Sequence, residues 1–251
     1  MEILEDALVH CKFGRFHIRL LLTTMAASCA SMMVTTTSSY ILPNAECDLN
    51  MTIIEKGLLT SMPFCGQVSA SLFAGFMTDA FGRKMFLIGG LLGIFVSSVI
   101  EGSSQNFWML AVGKLFEGVC SCFCYTIPSV LLSELVHKNV RNRVLLLFAS
   151  FTSISLILIA LISWGLLPLN LKITLIEGYF VLHSWNIYLY VCSLCSLIAA
   201  ISYYYLPESP KYLLSHGQEN EALEVLKDIY SSNTRENRNS FPVSFHCIKS
   251  K

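Results

Sequence analysis

The hydrophobic residues of this chain are gathered into six long runs separated by short polar segments. A helix needs roughly 20 mostly apolar residues to cross the hydrocarbon core of a bilayer. The pattern therefore predicts an all-α membrane protein whose residues 18–206 form a bundle of six transmembrane helices. The predicted spans cover residues 18–42, 57–77, 85–100, 107–132, 144–169 and 185–206.

A polar segment with helical periodicity follows the sixth run. Pro207 should end the last span, and Ser209 can cap a new helix that has Pro210 at its first position. The stretch ENEALEVLKDIY further on places its apolar side chains on one face, which predicts an amphipathic helix. We expect a short cytoplasmic helical segment over 207–230, lying against the bundle or the membrane surface, and a disordered polar tail over 231–251.

Lysine and arginine residues are concentrated on one side of the predicted bundle. They precede span one, follow span six, and occupy the loops after spans two and four, whereas the opposite loops hold only Lys56 and Lys172. Because cytoplasmic loops carry an excess of Lys and Arg, both termini, including residues 1–17, are expected in the cytoplasm. The sequon at Asn50, Asn-Met-Thr, then falls in the first outward loop, where it can be glycosylated.

The composition agrees with a protein embedded in lipid. The chain is 54% hydrophobic and only 14% charged, with a mean hydropathy of +0.59. Its net charge is zero, and no basic segment is interleaved with aromatic residues, which argues against a nucleic-acid partner. Most of the ten cysteines lie inside apolar runs and are interpreted as packing residues, so we expect neither a metal site nor a cofactor.

The short turn between spans two and three holds the densest set of charges. Its sequence, GFMTDAFGRK, resembles the G-x-x-x-D-x-x-G-R-[RK] signature of major facilitator superfamily transporters, with matches at Gly75, Asp79, Gly82, Arg83 and Lys84. Gly82 would allow the bend, and Gly75 would let two helices approach closely. A simpler interpretation is that Arg83 and Lys84 only enforce the orientation of the chain.

Two further segments carry the same resemblance. ELVHKNVR places Glu134 and Arg141 seven residues apart after span four, similar to the E-x6-R element of the sugar-porter and organic-ion branches. LPESPKYLL, with Glu208 at its centre, resembles the P-E-S-P-[RK] element that follows span six in those branches. FGRFH, PNAECDLN, EKGLL and EALEVLKDIYSSN look most similar to the synaptic vesicle glycoprotein 2 group, and the resemblance covers residues 12–234.

The resemblance implies half of a major facilitator fold and a latch of charges at its cytoplasmic end. Asp79 would face the N-terminus of a helix from the other half of a complete transporter. These residues would open and close an inner gate rather than bind solute. Four side chains would meet in the latch, namely those of Arg83, Glu134, Arg141 and Glu208.

Charged residues also lie inside predicted span four. Lys114 and Glu117 are three residues apart, so they can pair on one helix face together with Gly118 and Ser121. They either line a path for solute or ions, or form a self-neutralising pair near the outer end of the span. Span one has no acidic residue, but the hydroxyls of its TTTSSY stretch either line a cavity or bond their own backbone.

The predicted function is transport of small solutes, such as organic ions or sugar-like molecules, by alternating access. A complete transporter of this kind has two six-helix halves, and this chain has one, so we expect a truncated product or a half that works with a second half or as a homodimer. The alternative is a non-transporting subunit or regulator of a full-length transporter. An enzyme has little support, because no nucleophile with a base and no phosphate loop is visible. The expected location is the plasma membrane or an intracellular vesicle.

Overall fold

A computed structural model describes residues 2–169, 171–176 and 180–242 of the chain. Within these ranges, the side chains of residues 2, 3, 79, 81, 175, 176 and 180 are not described. The helices are α1 (Glu2–His10), α2 (Arg15–Leu49), α3 (Ile53–Phe81), α4 (Arg83–Gly102), α5 (Phe107–Leu135), α6 (Lys138–Leu166), α7 (Ser184–Tyr204), α8 (Pro210–Ser215) and α9 (Glu219–Thr234). Short 3₁₀ turns occupy Leu167–Leu169 and Arg238–Ser240, and two strands, β1 (Lys172–Ile176) and β2 (Phe180–His183), complete the described structure.

Helices α2 to α7 correspond in order to the six predicted spans. Five of them, α2 and α4 to α7, are long and apolar enough to cross a membrane. Helix α3 has 29 residues but lies outside this set. Gln67, Pro63 and several hydroxyl side chains lower its hydropathy. The structure thus establishes a multi-helix membrane protein with five candidate membrane helices among the described residues.

Helix α5 lies at the centre of the bundle and packs against α3, α4 and α2, while α7 packs against α4 and α2. The α3–α5 crossing is tight because small residues let the two backbones touch. A Cβ on Gly118 would lie 2.2 Å from the carbonyl oxygen of Pro63, and one on Gly66 would lie 2.3 Å from that of Leu115. Gly118 is therefore a packing residue that faces α3.

The helices bury two large apolar clusters, one toward each end of the bundle, and a small third cluster between α3 and α5. The cluster that includes Leu20, Leu87 and Leu131 extends onto α9, and we name its end of the bundle the inner end. The cluster at the opposite, outer end is built around Trp185 and Tyr188. Large apolar side chains cover the outside of the helices, as lipid contact requires.

Helix α1 was not predicted, and it changes the account of the N-terminus. Its apolar face is buried, and the Cys11 thiol that follows it donates to the carbonyl of Leu226 on α9 at 3.6 Å. Asn233 of α9 donates to the carbonyls of Cys11 and Lys12 at 3.0 Å and accepts from the amide of Phe16 at 3.0 Å. Helix α9 therefore lies against the bundle, one of the two predicted placements.

Two predictions need correction. The disordered tail does not begin at residue 231, because α9 continues to Thr234. Beyond it, the buried Phe241 ring packs on Tyr230, with the ring centroids 5.4 Å apart. Residues 243–251 lie outside the described part of the chain. The all-α fold is interrupted by the hairpin of β1 and β2, which pairs Thr174 with Val181. Its β-branched residues favour strands once the chain has left the apolar spans.

Candidate functional site

The turn between α3 and α4 depends on a glycine. Gly82 has φ +99°, a left-handed backbone conformation that other residues rarely adopt. A Cβ at this position would also lie 3.1 Å from Oε2 of Glu208. The amide of Lys84 donates to both carboxylate oxygens of Glu208 at 3.2 Å. Glu208 therefore caps the positive end of α4 with a negative charge.

Glu134, in the last turn of α5, is the centre of the contacts at the inner end. Its carboxylate forms an ion pair with Arg83 at the start of α4. The Ser209 hydroxyl donates to Oε2 of Glu134 at 2.7 Å, and the Lys211 ammonium lies 3.3 Å from Oε1. Glu134 is only 8% exposed, so these interactions are partly shielded from water. We call Arg83, Glu134, Glu208, Ser209 and Lys211 the inner charge cluster.

The P-E-S-P segment supplies two members of this cluster. Pro207 follows the end of α7, and Pro210 is the buried first residue of α8. Ser209 caps α8, because its hydroxyl accepts from the amide of Tyr212 at 3.4 Å while it donates to Glu134. A single hydroxyl thus connects the start of α8 with the end of α5.

Arg141 does not join the cluster, which corrects the prediction that it meets Arg83, Glu134 and Glu208. Its guanidinium donates to Oε1 of Glu5 on α1 at 2.7 Å and to the carbonyl of Val136 at 3.1 Å. Arg141 and Glu134 still line a common cavity of about 410 Å³. The sequence analysis missed Glu5, because it predicted no helix in the cytoplasmic N-terminus, residues 1–17.

The other residues of the G-x-x-x-D-x-x-G-R-[RK] match have different surroundings. The side chain of Asp79 lies outside the described part of the structure. A Cβ on Gly75 would meet no atom within 4 Å, so Gly75 is not at a close helix crossing of the described chain, contrary to the prediction. The Lys84 ammonium lies 5.8 Å from the centroid of the Tyr204 ring, a distance that allows a cation–π contact.

A second charged group is enclosed toward the outer end of the bundle. The Lys114 ammonium lies 2.7 Å from Oε2 of Glu117, 2.8 Å from Oε2 of Glu101 and 2.9 Å from the Thr37 hydroxyl. Ser98 donates to the other oxygen of Glu117 at 2.7 Å. Lys114 and Glu101 are fully buried, and Glu117 is 2% exposed. We call Glu101, Lys114 and Glu117 the buried triad.

Sequence reasoning paired Lys114 with Glu117 but missed Glu101. The predicted third span stopped at residue 100, whereas α4 continues to Gly102 and carries Glu101 inward. Ser121 was predicted to share the polar face of Lys114. Its hydroxyl instead accepts a hydrogen bond from the side-chain amide of Gln67 on α3 at 3.0 Å. The structure therefore separates the predicted polar stripe into a charged group facing α2 and α4 and small residues facing α3.

Three of the six hydroxyls of the TTTSSY stretch donate to the backbone of their own helix. Thr35 and Thr36 donate to the carbonyl of Met32, and Thr37 donates to that of Val34. Thr37 differs because it also accepts from Lys114. One hydroxyl of this run thus belongs to the charged site.

The connection between α2 and α3, predicted as the first outward loop, begins and ends with specific backbone signals. Asn50 ends α2 in the left-handed conformation, with φ 49°. Thr52 begins α3 with a capping box, in which its amide donates to Glu55 at 2.7 Å and its hydroxyl accepts from the amide of Glu55 at 3.3 Å. The sequon thus lies in the tight connection between α2 and α3.

Comparison with known proteins agrees with these motifs. Residues 12–242 match the family model described as sugar (and other) transporter. The chain is 25% identical over 232 residues to synaptic vesicle glycoprotein 2B of Rattus norvegicus, covering 92% of this chain and 34% of that protein. It is 28% identical over 238 residues to synaptic vesicle glycoprotein 2C of the same species, covering 92% and 32%. The chain thus spans about a third of the length of these curated relatives.

Solved structures share the fold at low sequence identity. A partially occluded, inward-open structure of the xylose transporter XylE from E. coli superposes with a TM-score of 0.74 at 12% identity, covering 87% of this chain and 56% of that one. The proton:xylose symporter XylE bound to 6-bromo-6-deoxy-D-glucose also gives 0.74, at 13% identity, covering 86% and 50%. The predicted resemblance is confirmed: the chain belongs to the family of sugar and other transporters, and it has the fold of one half of a major facilitator superfamily transporter rather than that of an enzyme.

Proposed function

We propose that this chain is the N-terminal half of a transporter that moves small organic ions or sugar-like solutes by alternating access. Family membership supports a role in transport, and the relatives named above, including a xylose transporter, support a small polar solute. In such transporters two helical halves rock against each other around a site at their interface.

The observation that carries this proposal is the position of Glu134. One nearly buried carboxylate connects the start of α4, the end of α5 and the start of α8 through Arg83 and Ser209. While these contacts are intact, the inner ends of the helices are held together. When they part, the inner ends can separate and admit solvent. The inner charge cluster thus acts as a latch for the inner gate.

We infer that α3 also crosses the membrane, which brings the number of spans to six. At 1.5 Å per residue, its 29 residues extend about 44 Å, enough to cross a hydrocarbon core of about 30 Å. Its most polar mid-helix side chain, Gln67, is bonded to Ser121 inside the bundle. With six spans, both termini, α1 and the α8–α9 segment lie in the cytoplasm, and Asn50 lies outside, where it carries a glycan.

The solute path requires a second half, supplied by another polypeptide segment or by a second copy of this chain. Thr36 and Tyr125 place hydroxyls at the accessible surface of α2 and α5, where Tyr125 donates to the sulfur of Met32 at 3.1 Å. A face of this kind is suited to a polar solute between two halves. The host membrane is the plasma membrane or that of an intracellular vesicle.

Uptake into proteoliposomes tests the proposal. The chain would be reconstituted alone and with a candidate second half, and a panel of radiolabelled sugars and organic ions would be screened. Arg83→Gln and Glu134→Gln should each reduce uptake at least about tenfold, since the inner charge cluster then lacks one charge. Asp79→Asn should reduce uptake as well, because Asp79 is expected to face a helix of the second half. Glu224→Gln is the matched control, because Glu224 is 66% exposed on α9.

Two results would count against the proposal. Equal uptake by the wild type, Arg83→Gln and Glu134→Gln would remove the assigned role of the inner charge cluster. Binding to a full-length transporter without any uptake would favour a regulatory subunit instead.

A further inference from the structure

The buried triad has an excess of negative charge if all its members are ionised. Lys114 supplies one positive charge and the two glutamates supply two negative charges. None of the three side chains has more than 3% of its surface exposed. A lone unbalanced charge at membrane depth is unfavourable, because neither water nor a counter-ion screens it. Binding of one proton would make the group neutral.

The two carboxyl groups are not equivalent. Glu117 receives a hydrogen bond at each oxygen, from Lys114 and from Ser98. The Lys114 ammonium lies 2.8 Å from Oε2 of Glu101 and forms an ion pair with it. Neither carboxylate oxygen of Glu101 accepts a hydrogen bond from the described residues, however. A carboxylate needs donors, whereas a carboxylic acid supplies one of its own. Glu101 is therefore the better position for the proton, and its acid group can donate to the neighbouring Glu117.

Among the described residues, the surrounding elements add no further charge to the group. Helix α2 contributes the neutral hydroxyl of Thr37, which accepts a hydrogen bond from the Lys114 ammonium at 2.9 Å. Helix α7 faces the group with the thiol of Cys192, next to the phenol of Tyr188. Helix α5 presses Gly113 against Glu101, where a Cβ would lie 2.5 Å from Cγ. Glu101 is thus held in place, with Lys114 as its cationic neighbour.

We propose that the buried triad is a proton-binding site and that Glu101 carries the proton. A hydronium ion gives up the proton, so one of its O–H bonds breaks as an O–H bond forms on a carboxylate oxygen of Glu101, and water is released. Span one lacks a carboxylate, and this site offers an ionisable group at membrane depth on α4 and α5 instead. Protonation of Glu101 does not depend on the proposed transport function. Coupling of that protonation to solute transport does.

Infrared difference spectroscopy of the full chain in lipid vesicles tests the site. The wild type should show a carboxylic acid C=O band that disappears as the pH is raised. Glu101→Gln should remove that band, whereas Glu224→Gln, at an exposed carboxylate, should leave it unchanged. The absence of the band at every pH, or its persistence in Glu101→Gln, would overturn the proposal.

A second variant keeps the test decisive if Glu101→Gln does not fold. Glu101→Asp retains the carboxyl group and should move the band to a different frequency and titration midpoint. An unmoved band in Glu101→Asp would assign the proton to another residue and overturn the proposal. A moved band would support it even if solute uptake were never detected, so the site and the transport function are tested separately.

Discussion

Replacing Glu134 with glutamine should destabilise the inner end of the bundle. Glutamine has nearly the same shape, so the change removes the charge while leaving the packing intact. Three contacts are affected, with Arg83, Ser209 and Lys211. Their strengths differ, because the Arg83 side chain is 17% exposed whereas that of Lys211 is 42% exposed.

The expected magnitude follows from that difference in exposure. A hydrogen bond to a charged group contributes about 1.5–3 kcal/mol, and the contact of Ser209 with Glu134 is of this kind. The exposed Lys211 pair adds less than about 1 kcal/mol. Loss of the Arg83 pair costs less than the roughly 3–5 kcal/mol of a fully buried pair, since water still reaches the guanidinium. Glutamine can still accept one bond, so we expect Glu134→Gln to lower the free energy of unfolding by about 2–3 kcal/mol.

Reversible unfolding in mixed detergent micelles would measure this change. Glu224→Gln is the control, because its carboxylate is 66% exposed and lies 3.7 Å from Arg238, so it should change the free energy by less than about 0.5 kcal/mol. A double-mutant cycle of Glu134→Gln with Ser209→Ala should show a coupling of about 1 kcal/mol. If Glu134→Gln behaves like the control, or if the coupling is zero, the cluster does not hold the inner ends together.

Three further outcomes are expected. Gly118→Ala should destabilise the chain by about 1–3 kcal/mol, because the new methyl group overpacks against α3. Gly89→Ala is the control and should be neutral or slightly stabilising, since a Cβ at Gly89 would meet no atom within 4 Å. Equal effects in unfolding assays would contradict the tight crossing of α3 and α5. Burial raises the pKa of the Cys11 thiol to about 12, so the thiol stays protonated at mildly alkaline pH. Cys11 should therefore resist labelling by maleimide while the exposed Cys47 reacts, which peptide mass mapping can show. Asn50→Gln should abolish a glycan-dependent gel shift in eukaryotic cells, and an unchanged shift would place the sugar elsewhere.

Much of the architecture could be predicted from the order of apolar and polar residues. A helix in lipid must bury its own backbone polar groups and expose apolar side chains, so each span leaves a long apolar run in the sequence. Caps and turns are also local, which is why Ser209, Pro210 and Gly82 were placed correctly at helix boundaries. The hairpin and α1 were missed, because both are short and gain their stability by packing on the bundle.

The family resemblance implied that Arg83 and Glu134 meet, but helix geometry predicted charged partners only where they lie close together in the sequence. Lys114 and Glu117 are one helical turn apart, so their pairing follows from helix geometry. The partner of Arg141 is Glu5, 136 residues away, and that of Lys114 includes Glu101 on another helix. Helical periodicity indicates which face a side chain occupies, but not which element packs against that face.

The sequence by itself determined the number and order of the long helices, their approximate positions along the chain and the family to which the chain belongs. Only the tertiary structure decided which charges meet. It brought Glu101 to Lys114 and paired Arg141 with Glu5. The reason is physical: helix formation depends on neighbours within a turn, whereas the pairing of buried charges depends on how separate helices pack.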